Sequence, residues 1–282
     1  TLLSDVINYC ENILKNRKIR KYYIGNTGIM HLADAILYYY EENPEKFSNQ
    51  EMLDLCDVII KELGDALFDN TELCHKVHFQ RAKALVSLSR EKDAIFDAYV
   101  SYEMGGDSID ADLLSSIAGE PADSVVKKLR KKYSNIFPKI PKNFQLLTMD
   151  GDTLRYEDIK GKIVILNFWG TGCKPCVKEF PTMAKISDWA EKNGVIFLAI
   201  TSNGDSRENV NRILEQVDPG YTICWDIDNK LFSALNITGI PQHLIVDKNG
   251  LIRKRTIGSI SEPDKLLKNV AEILNAQRQR LI

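Results

Sequence analysis

A Cys-x-x-Cys pair stands where a predicted strand gives way to a predicted helix. Residues 162–168 form a continuous β-rich run, as a buried central strand would, and residues 175–193 have helical spacing. Cys173 therefore lies just before or at the helix N-terminus, and Cys176 lies one turn further on, within bonding reach. Unpaired N–H groups and the helix dipole stabilise a thiolate there, and the thiolate is the form that attacks a disulfide. The pattern predicts a redox pair with Cys173 as nucleophile and Cys176 as resolving thiol.

A metal site is the alternative for such a pair. Zinc would need a second pair of ligands at suitable spacing, and this half of the chain offers only Cys224 and His243, which are not so arranged. Elsewhere, Cys74 and His78 share a predicted helix face at i and i+4, a spacing that can bind metal but more often packs in a core. The strand–turn–helix context favours redox chemistry. We therefore predict no metal and no cofactor.

The hydrophobic pattern divides the chain into two parts of different fold class. Residues 1–133 show helical spacing and almost no strand signal, which predicts an all-α domain whose helices around residues 89–92 loosely resemble a tetratricopeptide hairpin. Residues 134–142 contain two prolines and predict an extended linker. In residues 143–282 strands alternate with helices before a closing hairpin and helix. This part is predicted to be an α/β domain with a mixed sheet and helices on both faces.

Composition excludes several classes of function. A formal net charge of −2 provides no basic field for nucleic acid, and the basic run at 127–132 is typical of a solvated helix end. No apolar stretch approaches the roughly 20 residues that cross a bilayer. Six cysteines are too few for a disulfide-dense scaffold, so Cys10, Cys56 and Cys74 are either buried thiols or include one structural disulfide. Because the chain begins at Thr1, we expect that a leader has been removed.

The residues around the redox pair closely resemble the TlpA/ResA-like branch of thioredoxin-fold proteins. The resemblance rests on residues 167–181, Asn-Phe-Trp-Gly-Thr-Gly-Cys-Lys-Pro-Cys-Val-Lys-Glu-Phe-Pro, and on Ile-Thr-Gly-Ile-Pro at 237–241. It covers about residues 137–280 and leaves the helical part outside. It implies a thioredoxin fold and a thiol–disulfide oxidoreductase that reduces protein disulfides. It also implies a thiol electron donor, soluble or membrane-bound, and an extracytoplasmic location such as the periplasm or the outer membrane face.

The same resemblance assigns roles to residues outside the pair. It implies a cis bond before Pro241 and backbone pairing of Ile240 with an extended substrate. It also implies that Glu179, three positions after Cys176, is a partly buried carboxylate that relays protons. From the residues alone, Pro241 could equally be a trans proline at a strand start, and Glu179 an exposed helix residue.

The substrate-binding surface is predicted to include four further residues around the pair. They are Trp169, Gly172, Lys174 and Pro175. Gly172 stands where such proteins commonly have Trp, so the site lacks an aromatic lid. Lys174 replaces the more usual acidic or apolar residue, and its ammonium favours the Cys173 thiolate. Pro175 suits the first turn of a helix because it has no N–H to lose.

Two other functions compete with disulfide reduction. Peroxiredoxins share the fold but need a Thr-x-x-Cys nucleophile, and Thr171 stands two positions before Cys173, so that pattern fails. The second alternative gives the main function to the helical part, which would bind a protein partner while the redox domain serves as a regulated scaffold. The helical part is otherwise a scaffold without chemistry, since a fold alone does not define a function.

Overall fold

The computed structural model describes residues 25–105, 108–133, 136–202, 204–216 and 219–279, together with residues 12, 13 and 16. The chain divides into two compact units, Thr1–Ile136 and Phe137–Ile282. The described part of the first is helical, and the second combines a mixed sheet with flanking helices. The expected fold class, a helical domain followed by an α/β thioredoxin fold, is confirmed. Cys10 lies outside the described residues.

Two helices of the first unit begin at residues whose side chains cap them. Ser48 forms a reciprocal capping box with Glu51, and the Asn70 side chain accepts the Leu73 amide. In the described part of this unit the α-helices are α1 Gly25–Glu41, α2 Asn49–Leu63, α3 Thr71–Ser87, α4 Glu91–Met104, α5 Ser108–Ala118 and α6 Ala122–Lys132, with short 3₁₀ helices at Pro44–Lys46 and Gly64–Asp69. Among the described helices of the chain, none has the length and apolarity that crossing a bilayer requires.

A buried ion network replaces the metal site considered for Cys74 and His78. His78 Nδ1 lies 2.7 Å from Asp97 Oδ1, and Arg81 Nη1 donates to Asp97 Oδ2 at 2.5 Å. Cys74 and Cys56 are free, buried thiols. Among the residues that the structure describes, no group of three or more potential ligands is placed to hold a metal ion. His78 therefore pairs with a carboxylate across the interface of α3 and α4.

The second unit is built on one seven-stranded sheet. Its strands are β1 Gln145–Thr148, β2 Thr153–Arg155, β3 Val164–Phe168, β4 Ile196–Ser202, β5 Ile223–Asp226, β6 Gln242–Val246 and β7 Ile252–Ile257. Their order is β2-β1-β5-β4-β3-β6-β7. The neighbours β5, β4 and β3 are parallel, and the remaining pairs are antiparallel. Its helices are α7 Tyr156–Ile159, α8 Lys174–Lys178, α9 Phe180–Lys192, α10 Arg207–Leu214, α11 Lys230–Ala234 and α12 Pro263–Gln279.

Alternation along the central strand β3 produces a core on each face of the sheet. Val164, Leu166 and Phe168 pack on one side with residues of α11, whereas Ile165 packs on the other side with residues of α9 and α12. All five residues of β3 are buried, which explains its continuous apolar sequence. The polar exception, Asn167, shares the face of Ile165. That face carries the buried polar groups described below.

The second half of the predicted linker is part of the C-terminal unit. Phe137 and Ile140 are buried. The Ile140 amide donates to the Gly250 carbonyl at 2.9 Å, and the Ile252 amide donates to the Pro138 carbonyl at 3.0 Å. Lys139 also forms an isolated bridge with Leu251, so the side chains and backbone groups of this segment contact the edge of the sheet. The domain boundary that the structure supports lies between residues 136 and 137.

Candidate active site

The Cys-x-x-Cys pair sits in the connection from β3 to α8. Cys173 is the N-cap residue of α8, and the Cys176 backbone amide donates to Cys173 Sγ at 3.2 Å. The two sulfurs are joined in a disulfide with an S–S distance of 2.04 Å. Cys173 is partly exposed and Cys176 is fully buried. When the disulfide opens, the same backbone amide is available to stabilise a thiolate on Cys173.

The helix that follows the pair is broken at Glu179, although the sequence predicts one continuous helix. Pro181 is the cause, because it has no N–H to donate to the carbonyl of Val177 four residues earlier, and its ring clashes with that carbonyl. α8 therefore ends at Lys178, and α9 begins at Phe180. The break places Glu179 at the junction, where its side chain turns into the protein instead of following a helix surface.

Glu179 is buried, which excludes the alternative of an exposed helix residue. Only 4% of its surface is accessible. The Ile260 amide donates to Glu179 Oε2 at 3.0 Å, and Asn167 Nδ2 donates to Oε1 at 3.4 Å. His243 Nε2 lies 3.4 Å from the same Oε1. Burial, and then the negative charge of Glu179, raise the pKa of the nearby Tyr221 above its ordinary value.

His243 is a site residue that the sequence analysis considered only as a poor zinc ligand. It lies on β6 directly opposite Asn167 of β3, and Asn167 Nδ2 approaches His243 Nδ1 at 3.1 Å. Both side chains are almost completely buried. A polar residue inside an otherwise apolar strand was the available signal, since such a group needs a buried partner.

The Ile240–Pro241 peptide bond is cis, as the resemblance implies. Ile240 is 37% exposed, an unusual degree for a large apolar side chain beside a buried sheet. Its Cδ1 lies 3.0 Å from the position of a Cβ added at Gly170, so it contacts the connection that carries the cysteines. Pro241 is buried, and its carbonyl accepts the Gly258 amide at 2.9 Å. Among the described backbone hydrogen bonds none uses the Ile240 amide or carbonyl.

The structure corrects one of the predicted substrate contacts. Trp169 is only 1% exposed and packs edge to face on Phe180, with ring centroids 5.1 Å apart, in the same apolar cluster as Cys176. Its ring therefore supports the buried sulfur and does not reach a substrate.

The other predicted contacts lie at the surface beside Cys173. Gly172, Lys174 and Pro175 are exposed. A Cβ added at Gly172 would meet nothing within 4 Å, so the space beside Cys173 is open to a substrate.

Asp205 is a second residue that the sequence analysis missed. The Thr171 amide donates to Asp205 Oδ2 at 3.0 Å, and the hydroxyls of Thr171 and Thr201 also donate to this carboxylate. Trp225 Nε1 donates to the Asp205 carbonyl at 3.1 Å. The carboxylate thus ties the loop after β4 to the loop that carries Cys173. An Asp in a Gly/Ser-containing loop is typical of turns, so the sequence held no sharper signal.

Comparison with known proteins places the similarity in this same unit. Residues 138–255 match the AhpC/TSA family. The thiol–disulfide oxidoreductase ResA of Geobacillus thermodenitrificans is 34% identical over 122 residues, which cover 43% of this chain and 70% of that protein. The thioredoxin-like protein YneN of Bacillus subtilis is 34% identical over 124 residues, 43% of this chain and 72% of that protein.

A solved structure is also similar to part of the chain. The exposed lipoprotein thioredoxin Etrx1 of Streptococcus pneumoniae strain TIGR4 is 28% identical, with a TM-score of 0.42, and the alignment covers 46% of this chain and 98% of that one.

Proposed function

Through its C-terminal half the chain belongs to the ResA-like thiol–disulfide oxidoreductases, and we propose that it reduces disulfides in other proteins outside the cytoplasm. The enzyme is an oxidoreductase that works through the pair Cys173 and Cys176. One observation supports the proposed roles above all others. A partly exposed sulfur and a fully buried one are joined at a helix start, and Glu179, three residues after Cys176, is buried.

The reaction begins with the reduced pair. The Cys173 thiolate attacks one sulfur of a substrate disulfide, which forms a Cys173–substrate disulfide and releases the other substrate sulfur as a thiolate. Cys176 then gives its thiol proton to the Glu179 carboxylate and attacks Cys173 Sγ. The bond from Cys173 to the substrate breaks, and the second substrate sulfur leaves as a thiolate. Two electrons have passed to the substrate, and the Cys173–Cys176 disulfide has formed.

The oxidised pair must then be reduced by an external dithiol. That donor transfers two electrons through the same mixed-disulfide chemistry in reverse and becomes a disulfide itself. We propose a protein thiol donor, soluble or held at a membrane. Both steps need an accessible Cys173, and Lys174 beside it favours the thiolate form.

A polypeptide substrate suits the surface around the pair. The free backbone groups of Ile240 offer a short stretch for strand-like pairing with an extended peptide. The open space at Gly172 admits a chain that an aromatic lid would exclude. Ile240 itself provides an exposed apolar contact for the residues that flank the substrate cystine. These features support Gly172, Lys174, Pro175, Ile240 and Pro241 as the substrate-binding surface.

The proposed location follows from where such substrates exist. Protein disulfides persist in oxidising compartments and are rare in the cytosol, where thiols are kept reduced. An enzyme that reduces them by exchange is therefore expected in the periplasm or another extracytoplasmic space.

A Cys176→Ser variant tests this function. Without the resolving thiol, Cys173 should accumulate stable mixed disulfides with specific proteins, which dithiothreitol releases. The matched Cys173→Ser variant should trap none, because Cys176 is buried. Binding that survives the loss of both thiols and resists dithiothreitol would instead favour the partner-binding role of the helical unit. Failure of the wild-type protein to reduce insulin would contradict the proposal directly.

A further inference from the structure

His243 is a buried titratable group for which the proposed reaction has no role. Its side chain is fully buried, it lies on strand β6 beside β3, and its ring approaches the Glu179 carboxylate. An imidazole kept in a dry core without function is costly, because its ring nitrogens lose their hydrogen bonds to water. The partners of those two nitrogens indicate what this ring does.

The contacts of the ring determine its tautomer. Asn167 Nδ2 is a donor, and it lies 3.1 Å from His243 Nδ1, so Nδ1 must accept. The proton of the neutral ring therefore resides on Nε2. His243 Nε2 lies 3.4 Å from Glu179 Oε1, but the direction of its N–H does not form a hydrogen bond with that oxygen. A small rotation of either side chain would complete an Nε2–H to Oε1 hydrogen bond.

Three N–H groups thus converge on one buried carboxylate. They come from Ile260, Asn167 and His243. An ionised carboxylate is stable in a protein interior only when such donors replace its hydration. The neutral His243 ring would add its Nε2–H to the two amide donors, so that three hydrogen bonds replace the hydration of the Glu179 carboxylate.

We propose that His243 is a positioning residue for Glu179, whose imidazole stabilises the ionised carboxylate so that Glu179 accepts the proton of Cys176 during resolution. The inference rests on the proposed function, because it deepens the role given there to Glu179. Electrons and bonds change as in the reaction above. The proton moves from Cys176 Sγ to the Glu179 carboxylate and then leaves to solvent or to the departing substrate thiolate.

Few other titratable groups face this pair in the described part of the chain. On the neighbouring strands, Ala199 of β4 lies opposite Asn167 and Thr256 of β7 lies opposite His243. Neither side chain titrates near neutral pH. Tyr221 is influenced by the charge of Glu179, but its own pKa is raised, so it stays neutral. A change in the pH dependence of resolution that follows substitution of His243 is therefore assigned to the proton transfer between Cys176 and Glu179.

The test separates attack by Cys173 from resolution by Cys176. The reduced full-length chain is mixed with a symmetrical aromatic disulfide whose thiolate is coloured. The first coloured thiolate appears when Cys173 attacks, and the second appears when Cys176 resolves the mixed disulfide. Rates of both phases are measured in single turnovers across neutral pH.

His243→Asn and His243→Gln form a matched pair of variants. Asn keeps an acceptor for Asn167 but is too short to reach Glu179, whereas Gln carries an amide N–H to the position of Nε2. We expect His243→Asn to slow the second phase about tenfold at neutral pH, to move its rising limb to higher pH, and to leave the first phase unchanged. His243→Gln should recover most of the lost rate. Adding His243→Asn to Glu179→Gln should cause no further slowing.

Two results would overturn the proposal. One is an equal slowing of both phases by His243→Asn, and the other is an undiminished effect of His243→Asn in the Glu179→Gln background. Leu244→Val is the control for stability, since it alters the adjacent buried residue on the opposite face of β6. It should lower stability without moving the pH profile. A wild-type chain that releases no second thiolate would instead refute the proposed function itself.

Discussion

Cys173 differs from every other described cysteine in that part of its surface meets solvent. Cys56, Cys74 and Cys224 are free thiols in the cores of the two units. Burial raises the pKa of Cys224 to about 12. Burial, reinforced by the charge of Asp97, raises the pKa of Cys56 and Cys74 well above the ordinary thiol value. Among the cysteines that the structure describes, burial therefore disfavours the thiolate at Cys56, Cys74 and Cys224, whereas Cys173 is accessible.

Labelling of the reduced native protein with iodoacetamide at about pH 8 checks this difference. A raised thiol pKa means fewer thiolates at a given pH, and a pKa about four units above the solution pH leaves roughly one thiolate in 10⁴. We expect Cys173 to be modified first, with Cys56, Cys74 and Cys224 protected until urea unfolds the chain. Peptide mass spectrometry provides the readout. Modification of Cys224 in the native protein as rapid as that of Cys173 would contradict the assignment.

Two glycines that flank Thr171 offer a matched pair of substitutions. A Cβ at Gly170 would lie 3.0 Å from Ile240 Cδ1 and 3.1 Å from Asp205 Oδ2, whereas a Cβ at Gly172 would meet nothing within 4 Å. We expect Gly170→Ala to lower stability by about 1 kcal/mol and to slow disulfide exchange several-fold, because Ile240 or Asp205 must shift. Gly172→Ala should leave stability nearly unchanged. Insulin reduction and urea unfolding measure the two effects, and equal effects of both substitutions on stability would count against the described packing.

At the scale of elements, the site is assembled where β3, β4 and β6 end or begin. The loop with the two cysteines follows β3, Asp205 lies in the loop after β4, and the cis Ile240–Pro241 bond lies directly before β6. Asp205 links the first two through the Thr171 amide, the Thr171 hydroxyl and the Thr201 hydroxyl. The Asp205 side chain therefore fixes the N-terminal part of the cysteine loop at Thr171.

An Asp205→Ala variant should release this loop. The Thr171 amide would lose its acceptor, and we expect its hydrogen-exchange protection to fall at least tenfold, with a loss of about 1–2 kcal/mol in the free energy of unfolding. Ser206→Ala is the neighbouring control, since Ser206 caps α10 through the Asn209 amide and does not contact the cysteine loop. Hydrogen exchange of the Thr171 amide should remain protected in that control. Unchanged protection in Asp205→Ala would show that other contacts hold the loop.

At the scale of the whole molecule, the two units have separate cores and separate kinds of polar network. The helical unit buries Asp97, which contacts His78 and Arg81, and the α/β unit buries the group around Glu179. The three apolar clusters of the α/β unit are formed entirely by residues from Ile140 onward. The described apolar cluster that holds Cys176 is therefore made of residues of this unit.

Truncation tests the boundary at residue 137. A fragment of residues 137–282 should fold and reduce insulin at a rate within about twofold of the full chain, because its core is complete. A fragment of residues 143–282 lacks buried Phe137 and Ile140 and the backbone bonds to the strand edge. We expect it to be less stable by about 3–5 kcal/mol in urea unfolding. Equal stability of the two fragments would favour the linker boundary that the sequence pattern predicted.

Much of the C-terminal fold could be predicted from periodicity alone. Apolar runs and alternating patterns predicted β3, β4 and β6. Successive side chains of a strand point to opposite faces of the sheet, so the sequence shows which face is buried. The helix break at Glu179 could have been predicted from Pro181, which acts on residues only one turn away. Trp169 could not be assigned in the same way, since an aromatic residue beside the cysteines fits equally a substrate surface and a core.

Local sequence determined the redox pair, because two cysteines three positions apart at a helix start meet through the geometry of a single turn. The tertiary structure decided what surrounds them. Asn167, Glu179 and His243 converge only because β3 and β6 pair in one register, and a slip of one residue would turn His243 to the opposite face. Contacts across 76 residues, such as Asn167 with His243, depend on the packing of whole strands, and no local pattern in the chain encodes that packing.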